Sequence, residues 1–235
     1  LGYSPAMHKH IPSMLLAATL CLPGMALAQA DAHAQFRVAM EAAERGQPTQ
    51  LQGHPAQAWV EFVALRRNID ALPTSQAQAF LSRHDGKPVA DVFRESWLRA
   101  LQKRQDWAGI RAAWSPAIRS VALRCLELEA RQRTGATDAQ WTRDVQAIWR
   151  SSGNSLPNDC NAPFAALAER GGLTPELRWE RIELAAAEWQ PAVMRAAARG
   201  LPAEQQALAN DYAAFMDAPH ERALSWPKTA RSRLV

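Results

Sequence analysis

The stretch KPVADVFRESWLRALQKRQDWAGI, residues 87–110, decides the fold class. Val89, Phe93, Trp97, Leu98 and Leu101 recur at the 3.6-residue period, so they line one side of a helix with Pro88 in its first turn. A strand alternates its side chains every second residue, and this spacing does not suit one. Upstream, DAHAQFRVAMEAAERG (31–46) sets Phe36, Met40 and Ala43 on one face and stops at Gly46. HPAQAWVEFVALRRNID (54–70) opens on Pro55 and turns Trp59, Phe62, Val63 and Leu65 toward a neighbour, and TSQAQAFLSRHDG (74–86) is a short helix with a glycine end.

Downstream the pattern continues through DWAGIRAAW (106–114), AIRSVALRCLELEARQRTG (117–135) and TDAQWTRDVQAIWRSSG (137–153). After a cysteine loop come NAPFAALAERGG (161–172), TPELRWERIELAAAEW (174–189), PAVMRAAARG (191–200) and PAEQQALANDYAAF (202–215). Proline near the start and glycine past the end mark most of them. About a dozen short helices joined by tight turns predict an all-α chain without β-sheet, a solenoid of stacked helical hairpins. No fixed repeat consensus runs along it, and a compact irregular helical domain is the alternative.

The N-terminus reads as an export signal. MHKHIPSMLLAATLCLPGMALAQA starts at Met7, carries Lys9 between two histidines, then an apolar run from Met14 to Leu22. Small residues follow, with cleavage expected near Ala28 or Ala30. The apolar run is too short to span a bilayer, and no later stretch is long enough. Leu20 ahead of Cys21 argues against a lipid anchor. Residues 1–30 are therefore an N-terminal extension with signal peptide, and 31–235 the helical domain.

Removing Cys21 with the signal leaves Cys125 and Cys160, an even count in an oxidising compartment. A catalytic thiol would need a histidine brought near it in space, which the sequence leaves open; the reading is a disulfide, stabilising by about 3–4 kcal/mol. The six histidines show no metal-binding spacing, so neither metal nor cofactor is expected. The formal charge of +4 rests almost wholly on arginine, which alternates with Glu and Asp along the helices. That pattern describes a solvated surface, and no nucleic-acid partner is expected. Of nine tryptophans, Trp97, Trp141, Trp149 and Trp179 share a stripe with Leu, Val and Ile and are expected to pack between helices. Trp226, in the tail, has no assignable place.

Six landmarks in order carry a family resemblance: HPAQAWVEFVALRRNID; FRESWLRALQKRQDWAGI with Leu101, Arg104, Asp106 and Trp107; CLELEARQRTG; WTRDVQAIWRSSG; SLPNDCNAPF with Ser155, Pro157, Cys160 and Phe164; and WERIELAAAEW. From about residue 54 to 215 the chain resembles the N-terminal helical region of the soluble lytic transglycosylases, periplasmic enzymes that cut peptidoglycan. The resemblance implies a right-handed α-superhelix closing as a ring or horseshoe, a Cys125–Cys160 disulfide, peptidoglycan glycan strands as partner, a periplasmic location and a monomer. In the whole family enzyme, one Glu cleaves the MurNAc–GlcNAc bond to a 1,6-anhydro end, acting as acid and then base, with no cofactor.

The family's cutting domain lies C-terminal, with an Arg-Gln-Glu-Ser-type motif followed by Gly-Leu-Met-Gln. Phe93-Arg94-Glu95-Ser96-Trp97 mimics the first half, but no Gly-Leu-Met-Gln follows, and Glu95 reads as a surface helix residue. Glu127 and Glu129, two apart, point to different sides of their helix. Every acidic residue reads as solvated and flanked by arginine, hence ionised. No catalytic residue is expected in this chain, which reads as a piece of a longer frame whose own catalytic domain is a further partner. The competing function is an exported helical scaffold that binds proteins and carries no enzyme.

Overall fold

The computed structural model describes residues 23–49, 51 and 53–219, with side chains from residue 31. Met7, the apolar run from Met14 to Leu22, Cys21 and Trp226 lie outside the described residues. Among those described there are eleven α-helices, two short 3-10 turns and no strand. The chain divides into two compact units between Ala64 and Leu65.

In the first unit, α1 (Pro23–Arg45) is followed by the start of α2 (Gln57–Arg66). The expected cleavage points Ala28 and Ala30 fall inside α1. Ala39 and Ala43 are the buried residues of that helix, while Phe36 is half-buried and stacks on His54 with ring centres 5.8 Å apart. On α2 the buried residues are Val60, Phe62 and Val63. Trp59 departs from the expected inward face: it is 37 % exposed and meets Phe62 edge-on at 6.0 Å. One helical position turns a side chain by about 100°, so burying Val60 and Val63 rotates Trp59 outward.

The second unit continues with α3 (Thr74–Arg83), α4 (Pro88–Lys103), α5 (Trp107–Ala113), α6 (Val121–Arg133), α7 (Ala139–Trp149), α8 (Asn161–Glu169), α9 (Pro175–Ala187), α10 (Pro191–Ala198) and α11 (Ala203–Asp217). Successive helices pack against one another: α3 on α4, α4 on α5, α5 on α6, α6 on α7 and α8, and α9 on α10 on α11. This is the stacked-hairpin arrangement that the periodicity predicts. No described helix is long and apolar enough to cross a membrane.

Side-chain caps start four of these helices. Asp106, Ser120, Asp138 and Thr174 accept hydrogen bonds from the backbone N–H groups of Gly109, Leu123, Trp141 and Leu177, satisfying donors the helix leaves open. Gly109 is required by its cap: a Cβ there would sit 2.4 Å from Asp106 Oδ2.

The stops share one geometry. At α1, α4, α6, α8 and α9 a residue just past the end takes a positive φ, and the next N–H reaches back to a carbonyl one turn inside. Glycine supplies that residue at 46, 135 and 171; Gln105 (φ 57°) and Trp189 (φ 54°) supply it for α4 and α9. The sequence pattern carries α9 through Trp189, whereas the helix ends at Ala187. Trp97, Trp141, Trp149 and Trp179 are all buried, as their shared stripe predicts.

Candidate ligand cleft

The cysteine loop is held at two adjacent residues. A disulfide joins Cys125 on α6 to Cys160, both fully buried, with Cα atoms 4.8 Å apart. Beside it, Asp159 accepts from Arg99 Nη1 at 2.5 Å and Gln102 Nε2 at 3.2 Å, both on α4. Burial pushes the Asp159 carboxyl upward, but these hydrogen bonds and the Arg99 charge together hold it below its ordinary value.

Beyond the loop, α9 inserts two arginines where the sequence suggests a solvated surface. Arg178 and Arg181 are 8 % and 5 % exposed. Arg181 donates from Nη1 to the carbonyls of Trp149 (2.5 Å) and Ser152 (3.1 Å) and from Nη2 to that of Asn154 (3.2 Å). Its guanidinium also lies 4.9 Å over the Trp149 ring. Arg178 donates to the carbonyls of Leu173, Ala197 and Arg199. Burial lowers the pKa of both guanidinium groups. Carbonyls at the ends of α7 and α10 offset that penalty, because a helix C-terminus carries partial negative charge and open acceptors.

The arginine expectation therefore fails at these two positions, and a signal was available. Positions 178, 181 and 185 fall on one helical face (i, i+3, i+7), and Ala185 is fully buried. At these positions the helical period, not the charge, sets the burial. Gly153 completes the frame: a Cβ there would fall 2.1 Å from the Leu184 carbonyl, so only glycine lets the loop pass this close to α9.

These elements enclose a cleft of about 650 Å³. Trp149, Leu156, Phe164, Leu173 and Val193 form its apolar wall. Trp149 is pinned by its Nε1–H to the Leu177 carbonyl (2.9 Å) and by an edge-on contact with Phe164 at 5.0 Å. Ser155, Asn158 and Asn161 add hydrogen-bonding groups. No carboxylate lines this cleft, so it can hold a ligand and bond to it but offers no acid to protonate a leaving group.

The other face of α7 borders a smaller cleft of about 370 Å³, lined by Trp114, Arg119, Arg124, Glu127, Arg131 and Asp144 among others. Arg131 reaches Asp144 at 2.8 Å, Asp138 at 3.1 Å and Glu127 at 4.0 Å. Here the expectation of uniformly solvated acids fails. Only 15 % of the Glu127 side chain is exposed, and burial raises its carboxyl above the ordinary value against the opposing charge of Arg131. Glu129, two residues on, faces elsewhere and pairs with Arg133 at 3.2 Å. Glu95 is exposed on α4, the surface position its sequence suggests. Among the described residues no cluster of His, Cys, Asp and Glu could hold a metal ion.

No protein-family model matches the chain. Its sequence is 26 % identical over 209 residues to the soluble lytic murein transglycosylase of Salmonella typhimurium, covering 83 % of this chain and 32 % of that protein. The enzyme of the same name from Escherichia coli K12 is 24 % identical over 225 residues, covering 90 % of this chain and 34 % of that protein. In fold, the chain superimposes on the 70-kDa soluble lytic transglycosylase of Escherichia coli with a TM-score of 0.70 at 20 % identity, covering 90 % of this chain and 34 % of the other. An inactive mutant of the Pseudomonas aeruginosa lytic transglycosylase gives 0.68 at 21 %, over 85 % and 34 %. The chain's homologues are thus soluble lytic murein transglycosylases, and it spans about a third of their length, the N-terminal part.

Proposed function

We propose that this chain is the helical, strand-positioning part of a periplasmic soluble lytic murein transglycosylase. One observation carries the reading: the sequence match to murein transglycosylases extends over 83 % of the chain. Residues 1–30 act as an export signal, cleaved near Ala28 or Ala30, and the exported helical domain begins at about residue 31. In the oxidising space beyond, the Cys125–Cys160 bond persists. The whole enzyme cuts the bond between MurNAc and GlcNAc and leaves a 1,6-anhydro end. Its acid lies on a catalytic domain outside these 235 residues. The part described here guides peptidoglycan strands toward that domain, as a monomer, with the 650 Å³ cleft as the candidate contact.

A glycosidic oxygen needs a partly desolvated acid beside a ligand-sized groove. The large cleft has the room but no carboxylate; the raised acid, Glu127, borders the smaller cleft, where Arg131 engages it. Purified chain mixed with murein sacculi should therefore co-sediment with them and release no anhydromuropeptides. Absence of co-sedimentation would sink the positioning role. Released product lost on Glu127→Gln would move the chemistry into this chain.

A further inference from the structure

Trp189 stands apart from the other tryptophans whose side chains are described. It is 60 % exposed, against 37 % for Trp59; Trp107 and Trp114 are half-buried, and Trp97, Trp141, Trp149 and Trp179 are buried. Its backbone is left-handed (φ 54°), held there by two bonds that close α9: Trp189 N–H to the Ala186 carbonyl (3.1 Å) and Gln190 N–H to the Ala185 carbonyl (2.8 Å). The equivalent residue is glycine after α1, α6 and α8, the residue that takes this conformation without steric strain, and the flexible polar Gln105 after α4; Trp189 is the one aromatic side chain among these five stops. A bulky side chain here is strained and recovers little by burial. Residues held in sparsely populated backbone regions cluster at ligand and active sites.

The surroundings narrow the ligand. Glu188 and Gln190 are its neighbours along the chain, and the Gln190 side-chain amide donates to the Glu188 backbone carbonyl at 3.3 Å. Glu180 and Glu183 are exposed on the same helix, with Arg150 set 3.8 Å from Glu180. Such an acidic face repels nucleic acid and anionic lipid. Docking of an apolar protein surface needs a contiguous patch, and on α9 the only other exposed large hydrophobic side chain is Leu184, at 38 %. What remains suited is a neutral ring with polarised C–H bonds on one face and hydroxyl or acetamide groups at its edge. The negative π face of indole attracts the former, and the Gln190 and Glu188 side chains next to it in the chain supply hydrogen-bonding groups for the latter.

We propose that Trp189 is a stacking platform for a neutral N-acetylated hexosamine ring, a glycan contact separate from the 650 Å³ cleft. The proposal rests on the murein reading above for the choice of sugar. It makes a joint statement about stability and binding. Trp189→Gly keeps the left-handed turn and removes the strain, so Tm rises by about 2–4 °C, while affinity for chitotetraose, measured by titration calorimetry, falls tenfold or more. Trp189→Tyr retains affinity within about threefold, because a phenol ring still stacks. Chitotetraose binding that is undetectable in the wild-type chain, or equal in the wild type and Trp189→Gly, overturns the platform. Sedimentation with murein sacculi separates the two ideas. If the wild type sediments but does not bind chitotetraose, the platform fails and the positioning role stands; if it binds chitotetraose through Trp189 but does not sediment, the reverse holds.

Discussion

Helix α7 separates two clefts that treat buried charge in opposite ways. On the side of the cysteine loop, Arg178 and Arg181 are deeply buried, and each donates hydrogen bonds to three backbone carbonyls. On the α6 side, Arg131 is shared among the carboxylates of Asp144, Asp138 and Glu127. Backbone carbonyls do not titrate, so the acceptors that hold the two arginines of the first cleft are the same at any pH the fold survives. Carboxylates do, and the second cleft holds one whose pKa is raised by burial. A cleft walled by carbonyl-bound arginine is a stable shape for a ligand; one walled by a shared ion cluster is a pH-sensitive brace.

The harshest way to break the first side is Arg181→Ala. It strips a donor from the carbonyls of Trp149, Ser152 and Asn154 and opens space beneath the Trp149 ring. A loss of about 3–5 kcal/mol is expected from urea unfolding, given the penalty for buried acceptors left unmade and the cavity. A loss below about 1 kcal/mol would mean that the arginine is incidental to the cleft.

Next in size is Cys160→Ser, which frees the loop from α6 and should lower stability by about 2–4 kcal/mol. The helical circular dichroism of the folded variant should not change. Thiol titration of the denatured, unreduced mature protein should find no free thiol, and two free thiols would remove the disulfide from the account.

The smallest effects are on pH dependence, and they sharpen the contrast. Asp159 has a lowered pKa, so its contribution is present above the ordinary aspartate value and is lost as pH falls through its folded value. Asp159→Asn should cost about 1–2 kcal/mol near neutral pH and flatten that acid limb. Glu127 behaves with the opposite sign. Its raised pKa means stability declines as pH climbs from the ordinary glutamate value through the folded one. Glu127→Gln should remove that decline and leave the variant at least as stable as the wild type at pH 7. Equal slopes in the Gln variant and the wild type would show that Glu127 titrates normally.

How much of this was legible in residues can be judged at particular positions. The stripe of α4, Val89 through Leu101, was readable because apolar burial follows the helical period. Parity and an exported compartment pair Cys125 with Cys160 in the sequence, and the fold sets their Cα atoms 4.8 Å apart. Arg178 and Arg181 were misread because composition treats arginine as a surface residue, although their spacing with Ala185 placed them on the buried face. Trp59 was misread by one helical position. Glu127 was not legible at all, since its burial comes from packing between α6, α7 and the turn before them.

The sequence by itself determined that the chain is built of helices, where most of them begin and end, and that Trp97, Trp141, Trp149 and Trp179 pack. Those are local matters of period, proline and glycine, settled within one or two helical turns. Only the tertiary structure decided that two arginines would bridge the ends of α7 and α10, that Glu127 and Glu129 would lose most of their solvent, and that Trp189 would stand outward on a left-handed turn. Each of those depends on what a neighbouring helix offers, an open carbonyl, a wall or nothing, and no spacing along one chain segment carries that information.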